Sequence, residues 1–398
     1  MLPVQEALSR ILGSAQATAG IVSVALLDAL GLTLAEDIVS TIAVPPQDNS
    51  AMDGYALRVA DAGQSLPVSQ RIPAGAVGSP LAPGSAARIF TGAPVPAEAD
   101  CVVMQEDCVA SDGEVTVGGG VSVGDNIRPR GQDINIGETA LYQGRRLRPQ
   151  DLGLLASLGL AEIPVYRPLQ VAVLSTGDEL VEPGTGAAPP GSIFNSNRYT
   201  LGGLIRSLGF EFVDCGIVED SPEATAAALE SAAGKADCVI TTGGVSVGEE
   251  DHVKEQVQNL GELALWKLAI KPGKPLAFGR IGSTPFIGLP GNPTSVFVTF
   301  CLIARPFLLQ LQGVSEPALP SLQARAGFAL SRPGKRQEYL RVTLVESSEG
   351  LLAQRFPNQS SGVLSSVSHS NALAVIPPGT VVQEGQWLEV LLLDTLIG

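Results

Sequence analysis

Histidine is almost missing from this chain of 398 residues, which contains only His252 and His369. That scarcity excludes a histidine-rich metal centre and leaves little material for a Ser-His-Asp triad. Catalysis must therefore lean on carboxylates, lysines and backbone groups. Positive charge is scarce as well: 25 Lys and Arg stand against 40 Asp and Glu, a net charge of -15. No general basic field exists to attract nucleic acid or an anionic lipid surface, so any anion site has to be locally basic. The five cysteines (Cys101, Cys108, Cys215, Cys238, Cys301) are odd in number and scattered, without CxxC spacing. They exclude a zinc ribbon and a disulfide framework and read as reduced, mostly buried thiols. No apolar run reaches the ~20 residues of a membrane span. The opening MLPVQEALSRILGSA reads as an amphipathic helix rather than a signal peptide. The expectation is a cytoplasmic protein. With charged residues at 16% and hydrophobic ones at 45%, the chain has the composition of compact domains, and its length allows two to four of them.

What is present changes texture along the chain. Residues 1–40 carry helical periodicity, with Val4, Ala7, Leu8 and Ile11 at helical spacing, followed by IVSVALLDALG and its glycine stop. From 41 to 140, short apolar runs are divided by Pro, Gly, Asn and Asp, the pattern of a β-rich domain with long loops. Residues 141–168 return to helix and then strand, so the first segment is expected to pair with them across the insertion, making a discontinuous helical linking domain. From 169 to 312 the pattern alternates β and α, which predicts a three-layer αβα domain on a mostly parallel sheet. Residues 313–398 read as a small C-terminal β domain. The fold class is thus multidomain α/β plus β.

The richest stretch runs from Asp237 to Ser295 and contains DCVITTGGVSVGEED, KLAIKPGKPLAFG and IGLPGNPTS. It reads as a strand ending in a glycine turn, an acidic cluster, lysines between prolines, and a second strand turning through glycine into a helix. In open αβ sheets, ligands gather at the carboxyl ends of strands. Backbone N–H groups at such turns, with cations beside them, suit a phosphorylated small molecule, and adjacent carboxylates suit Mg2+. STGDEL places Asp178 and Glu179 at another strand end. Lys267 and Lys271, an even number of residues apart, are expected on one face of an extended segment, with Lys274 beyond them. Each motif alone has a plain alternative: a turn cap, a solvated basic edge, or a strand-to-helix turn without a ligand. The second GVSVG, at Gly120–Gly124, lacks the neighbouring strand and acidic cluster and reads as coincidence.

Taken together, DNSAMDGYAL, FTGAPVP, RPRGQDI, STGDEL, TTGGVSVGEEDHVK, KLAIKPGKP and GLPGNPTS, in this order over roughly 45 to 300, resemble the molybdopterin molybdenumtransferase family, the MoeA and gephyrin E-domain proteins. The resemblance implies insertion of molybdate into adenylylated molybdopterin with Mg2+-assisted release of AMP. It also implies an elongated homodimer whose site lies between the αβ domain of one subunit and the β domain of the other. Carried over by motif, Asp53, Asp133, Glu179, Asp251, Lys271 and Lys274 are the expected catalytic positions. Expected substrate-binding positions are Thr91, Thr176, Gly177, Asp220, Gly243, Gly244, Ser246, Lys267, Pro290, Gly291 and Asn292. Arg336, Arg341, Ser360 and Ser361 of the tail are weaker candidates of the same kind. Glu179, Asp220 and Asp251 would hold Mg2+ on the phosphate bridge. The implied partners are a second copy and, transiently, the molybdopterin adenylyltransferase and acceptor molybdoenzymes, with no nucleic acid and no membrane. Two other functions fit parts of the pattern. A molybdopterin adenylyltransferase shares the αβ fold and a TGG-type loop, but is a short single domain. A non-catalytic scaffold of the gephyrin E-domain type lacks support from any fused second enzyme or long linker here.

Overall fold

The computed structural model describes all residues except 18, 185, 245–251, 316, 318, 319, 349 and 398, and all side chains of the remainder except that of 265. At its centre is a six-stranded sheet in the order Glu211–Val218, Gln170–Thr176, Cys238–Thr242, Thr284–Leu289, Pro275–Ile281, Gly261–Lys267. The first four strands run parallel, Pro275–Ile281 runs against them, and Gly261–Lys267 pairs antiparallel with Pro275–Ile281. The expected alternation of strand and helix is present, with helices Ser196–Ser207 and Pro222–Ala233 between parallel strands. Strands such as Gln170–Thr176 are buried along nearly their whole length, as a sheet covered on both faces requires. The carboxyl ends of Gln170–Thr176, Cys238–Thr242 and Thr284–Leu289 all open on one edge.

The last of these strands leads into a continuous helical run, Pro293–Leu311, that includes a π-helical turn at Phe300–Ala304. The run is apolar and long enough to cross a membrane by those two measures, yet nearly all of it is buried inside the protein. It packs as the core helix of the αβ unit. The amphipathic helix Val4–Ser14 lies against it, burying Val4, Ala7 and Ile11 in the same cluster as Phe300, Ile303 and Phe307. Side chains of the size of Val4 and Ile11 contribute ~1.5–3 kcal/mol each on burial.

The expected helix over IVSVALLDALG is not formed. Ile21–Ala25 is a strand that pairs antiparallel with Glu162–Tyr166, and only Leu26–Ala29 turns, as a short 3-10 helix. Local periodicity favoured a helix, but the β-branched Ile21, Val22 and Val24 found a long-range partner strand instead. Thr33–Leu34 joins the other side of Glu162–Tyr166. The linking region is therefore a three-stranded sheet with helices Val4–Ser14 and Pro149–Ser157 rather than a helical unit.

Between these paired segments the chain forms a six-stranded β sheet in the order Cys101–Met104, Gly54–Leu57, Ala86–Ile89, Ser65–Ile72, Glu114–Val117, Cys108–Ser111. Gly54 faces Met104 across the ladder, and a Cβ at this position would collide with the Val103 carbonyl. The obstacle is backbone, which cannot rotate away. Gly54→Ala is expected to destabilise the protein by about 2 kcal/mol, in line with overpacking of a close contact, measured as a lowered urea midpoint; an unchanged midpoint would show that the strands separate freely here.

The C-terminal segment closes on itself. Gln337–Ser347, Gly350–Arg355, Ser321–Ala326, Trp387–Leu392 and Ala372–Ile376 form a ring, with Ala372–Ile376 returning to pair with Gln337–Ser347. Ile270–Lys271, from the αβ segment, adds to this barrel in parallel with Gln337–Glu338. That graft carries a lysine from one unit to the edge of the other.

Candidate functional site

A cleft of about 900 Å³ opens where the carboxyl edge of the αβ sheet meets the barrel. Thr176, Glu179, Gly243, Gly244, Lys271, Lys274, Pro290, Gly291, Asn292, Arg336, Ser360 and Ser361 line it, twelve positions that sequence reasoning singled out, nine from four motifs and three from the tail. Its floor is made by strand ends and their turns. Gly243 and Gly244 both adopt positive φ (85° and 61°), a conformation that lets the chain double back over Thr176 at the end of the neighbouring strand. Asn292 sits at the N-cap of Pro293–Thr299 without a side-chain cap hydrogen bond, so its amide is left to face the cleft.

Cations converge on one side. Lys271 pairs with both carboxylate oxygens of Glu338 at 3.2 Å and is about half exposed. Arg336 donates to the Ile270 carbonyl at 2.9 Å, which fixes its stem beside the grafted strand. The Lys274 ammonium has no side-chain partner among the described residues. Lys267 does not join them. It ends the antiparallel edge strand of the αβ sheet, while Lys271 has already passed to the barrel, so the two do not share one face of a single extended segment. The break follows from Leu268 and Ile270, which turn into the core and carry the chain from one sheet to the other.

The barrel contributes the loop 356–363. Ser361 accepts the Thr294 amide at 3.0 Å and Val363 accepts its hydroxyl at 3.1 Å, which ties the loop to the first turn of the core helix. Arg341 lies outside the cleft. Its guanidinium is buried at 1% exposure and donates to the Ser366 hydroxyl and to the carbonyls of Tyr339 and Ser360. Burial pushes it down to about 10, so it is still charged at neutral pH. It supports the Ser360 loop through the Ser360 carbonyl and is not part of the cleft lining.

Of the expected metal carboxylates, Glu179 alone is placed on the cleft by the described residues. Gly177, at φ 137°, lies beneath the Glu179 carboxylate. Asp220 follows Val218, the residue paired with Thr176 on the adjacent strand, and is not part of the lining. Ser246 and Asp251 lie outside the described residues. Sequence reasoning passed over a further part of the lining, Ile193, Phe194, Asn195 and Asn197, although FNSN shows the polar run that precedes a capped helix. It also missed Gln359, whose amide brackets the Arg341 backbone.

Asp53, Thr91 and Asp133 form a second group on the β-rich segment, apart from the cleft lining. Asp53 Oδ1 accepts both the Thr91 amide and its hydroxyl, each at 2.8 Å. Asn49–Ser50 pairs with Ile127–Arg128, the Arg130 amide donates to Asp48 Oδ1 at 2.7 Å, and the Asp133 amide donates to the Val44 carbonyl at 2.9 Å. Three motifs distant in sequence thus become one knitted surface. The Thr91 backbone amide, then its hydroxyl, holds the Asp53 carboxyl below its ordinary value. Because the folded value is depressed, this contribution is present above the ordinary aspartate range and is lost as pH falls through the folded value. Thr91→Val keeps the amide and removes the hydroxyl. The Asp53 midpoint, followed by carboxyl-carbon NMR, is expected to rise toward the ordinary value; an unmoved midpoint would remove the hydroxyl from this account.

Comparison with known proteins covers nearly the whole chain. Residues 2–159 match the MoeA N-terminal region (domain I and II), 172–310 the probable molybdopterin binding domain, and 323–393 the MoeA C-terminal region (domain IV). The molybdopterin molybdenumtransferase of Haemophilus influenzae is 41% identical over 358 residues, 88% of each chain. The chain belongs to the molybdopterin molybdenumtransferase family. Molybdopterin molybdenumtransferase 2 of Mycobacterium tuberculosis is 36% identical over 384 residues, covering 93% of this chain and 94% of the relative. A solved MoeA structure from Pyrococcus horikoshii superposes with a TM-score of 0.87 at 30% identity, covering 98% of this chain and 100% of that one. As a member of the molybdopterin molybdenumtransferase family, the protein is a transferase of molybdenum cofactor biosynthesis.

Proposed function

We propose that the cleft receives adenylylated molybdopterin and molybdate and inserts the metal oxyanion with release of AMP. The observation that carries this reading is the convergence of Lys271, Lys274 and Arg336 on one cleft in a chain of net charge -15. A dianion is drawn to a focused cationic pocket rather than to the protein as a whole. Lys271 and Lys274 act as point charges for molybdate or phosphate. Ser360, Ser361 and the Asn292 amide supply neutral hydrogen bonds beside them, and the Gly243–Gly244 turn brings backbone close to the ligand.

The residues present fit Mg2+. Among the described residues no group of three or more metal-binding side chains forms a protein cage, and Glu179 is the one carboxylate of the described lining. Mg2+ is commonly held by one or two carboxylates with substrate phosphates and water completing the shell. Glu179 would hold it from the cleft, and Asp220, outside the described lining, and Asp251 are the further ligands that the family resemblance implies. When bound, the ion supplies charge stabilisation at the phosphate bridge.

The second group of residues gives the reading its quaternary part. Asp53, Thr91 and Asp133 belong to a rigid, solvent-facing surface that contributes nothing to the described lining of the cleft. We infer that a second copy of the chain brings this surface to the cleft in a homodimer. The enzyme would work in the cytoplasm, receiving its substrate from the adenylyltransferase and passing its product to acceptor molybdoenzymes by transient contact.

The test is a stoichiometric assay with purified protein, adenylylated molybdopterin and Mg2+. AMP release is expected only when molybdate is added and without any ATP. Consumption of ATP with unmodified molybdopterin would instead favour the adenylyltransferase reading.

A further inference from the structure

The wall of the cleft formed by residues 193–197 holds two side-chain amides, each with one hydrogen-bonding group unused. Asn195 caps helix Ser196–Ser207 by accepting the Arg198 amide on Oδ1 at 3.3 Å. That bond fixes which way the amide faces, and Nδ2 is left buried without a partner in a residue only 1% exposed. Asn197 is oriented in the opposite sense. Its Nδ2 donates to the Gly291 carbonyl at 2.7 Å, and its Oδ1 is buried without a partner. Both residues line the cleft, and one unused donor and one unused acceptor are thus held within its wall, two residues apart.

Leaving a buried polar group unmatched costs ~1–3 kcal/mol, so two on one wall ask for an explanation. Slack packing does not supply it. The Ile193 amide donates to the Glu179 carbonyl at 2.8 Å and the Asn195 amide to the Val181 carbonyl at 2.9 Å, which locks this wall to the Glu179 turn. Arg198 bridges Glu182 and Asp214 and holds the first turn of the helix. Beside the amides, Phe194 lines the same cleft and is 41% exposed, an aromatic surface available for stacking.

We propose that Asn195 and Asn197 form a subsite that reads the edge of a planar heterocycle, Asn195 donating to a ring acceptor and Asn197 accepting from an adjacent N–H. This rests on the proposed function and deepens it, because both the pterin and the adenine of adenylylated molybdopterin carry such an edge. The subsite sets which ring system enters beside the anion pocket, while the lysines hold only charge.

Asn195→Ser separates recognition from folding. Serine is a competent N-cap, so the melting temperature should stay at the wild-type value, while the Nδ2 donor is lost. Binding of adenylylated molybdopterin, followed by calorimetry, is expected to weaken about 3- to 20-fold. Asn195→Asp, which also keeps the cap but puts an acceptor in place of the donor, should weaken it further. Inorganic phosphate serves as the control probe and should bind Asn195→Ser as it binds wild type. Titration with AMP assigns the ring: a parallel loss places adenine against the amides, and unchanged AMP affinity places the pterin there. Wild-type affinity of both variants for both ligands would overturn the subsite alone. Wild-type protein that bound neither ligand would overturn the proposed function and this inference with it.

Discussion

Lys271→Ala is expected to lower molybdate-dependent AMP release by about 10²- to 10³-fold, the scale seen when one preorganised charge-stabilising group is removed from a site. The protein should remain folded. Lys271 is about half exposed and its pair with Glu338 is of the partly solvated kind, worth at most ~1 kcal/mol. Circular dichroism and melting temperature therefore serve as the control, and full activity in a folded variant would remove Lys271 from the anion site. Lys271→Arg is not a neutral exchange, since a planar fork replaces a compact charge at the junction of two sheets. The same variant probes the dimer. Mixed after unfolding and refolding with Asp53→Ala chains, which are defective on the other surface, it should recover about a quarter of wild-type activity, because half the dimers are then mixed and each has one intact site. Absence of any recovery would place both surfaces in one chain's own site.

Arg341→Met is expected to destabilise the barrel by about 3–5 kcal/mol, measured by urea unfolding. Methionine fills the volume, but the Ser366 hydroxyl and the Tyr339 and Ser360 carbonyls lose their donor in a buried setting. Since the Ser360 loop lines the cleft, phosphate affinity should fall as well, even though Arg341 is not part of the lining. Arg341→Lys should fail to restore stability, because one ammonium cannot reach three acceptors held in a fork. Stability within 1 kcal/mol of wild type would show that water replaces the guanidinium in the barrel.

The αβ unit was legible because each of its elements announces itself locally. Gln170–Thr176 and Cys238–Thr242 are apolar runs that end in glycine turns, and SPEATAAALESAAG carries its own cap at Ser221 and proline at Pro222. The cleft was legible for a related reason: TGDEL, TTGG and LPGNPTS each follow a strand, and strands of a parallel sheet end on one edge. The linking strand Ile21–Ala25 was not, since its fate depends on Glu162–Tyr166, some 140 residues away, and no local pattern encodes that pairing. Arg341 misled for the opposite reason. In sequence it is one more tail cation, and only burial reveals that its charge is used inside the barrel.

What the sequence determined by itself, then, was the family, the kind of chemistry and the side chains available for it. Those are properties of residue type and order, and they survive without coordinates. The tertiary structure alone decided which cations share the cleft: Lys271 joins Arg336 in its lining through a two-residue graft onto the barrel, while Lys267, four residues earlier, stays with the other sheet. It also decided that Asn195 and Asn197 line the cleft, each with a buried amide group unused. Hydrogen-bond satisfaction is a property of the packed neighbourhood, and so it appears only once the chain has folded.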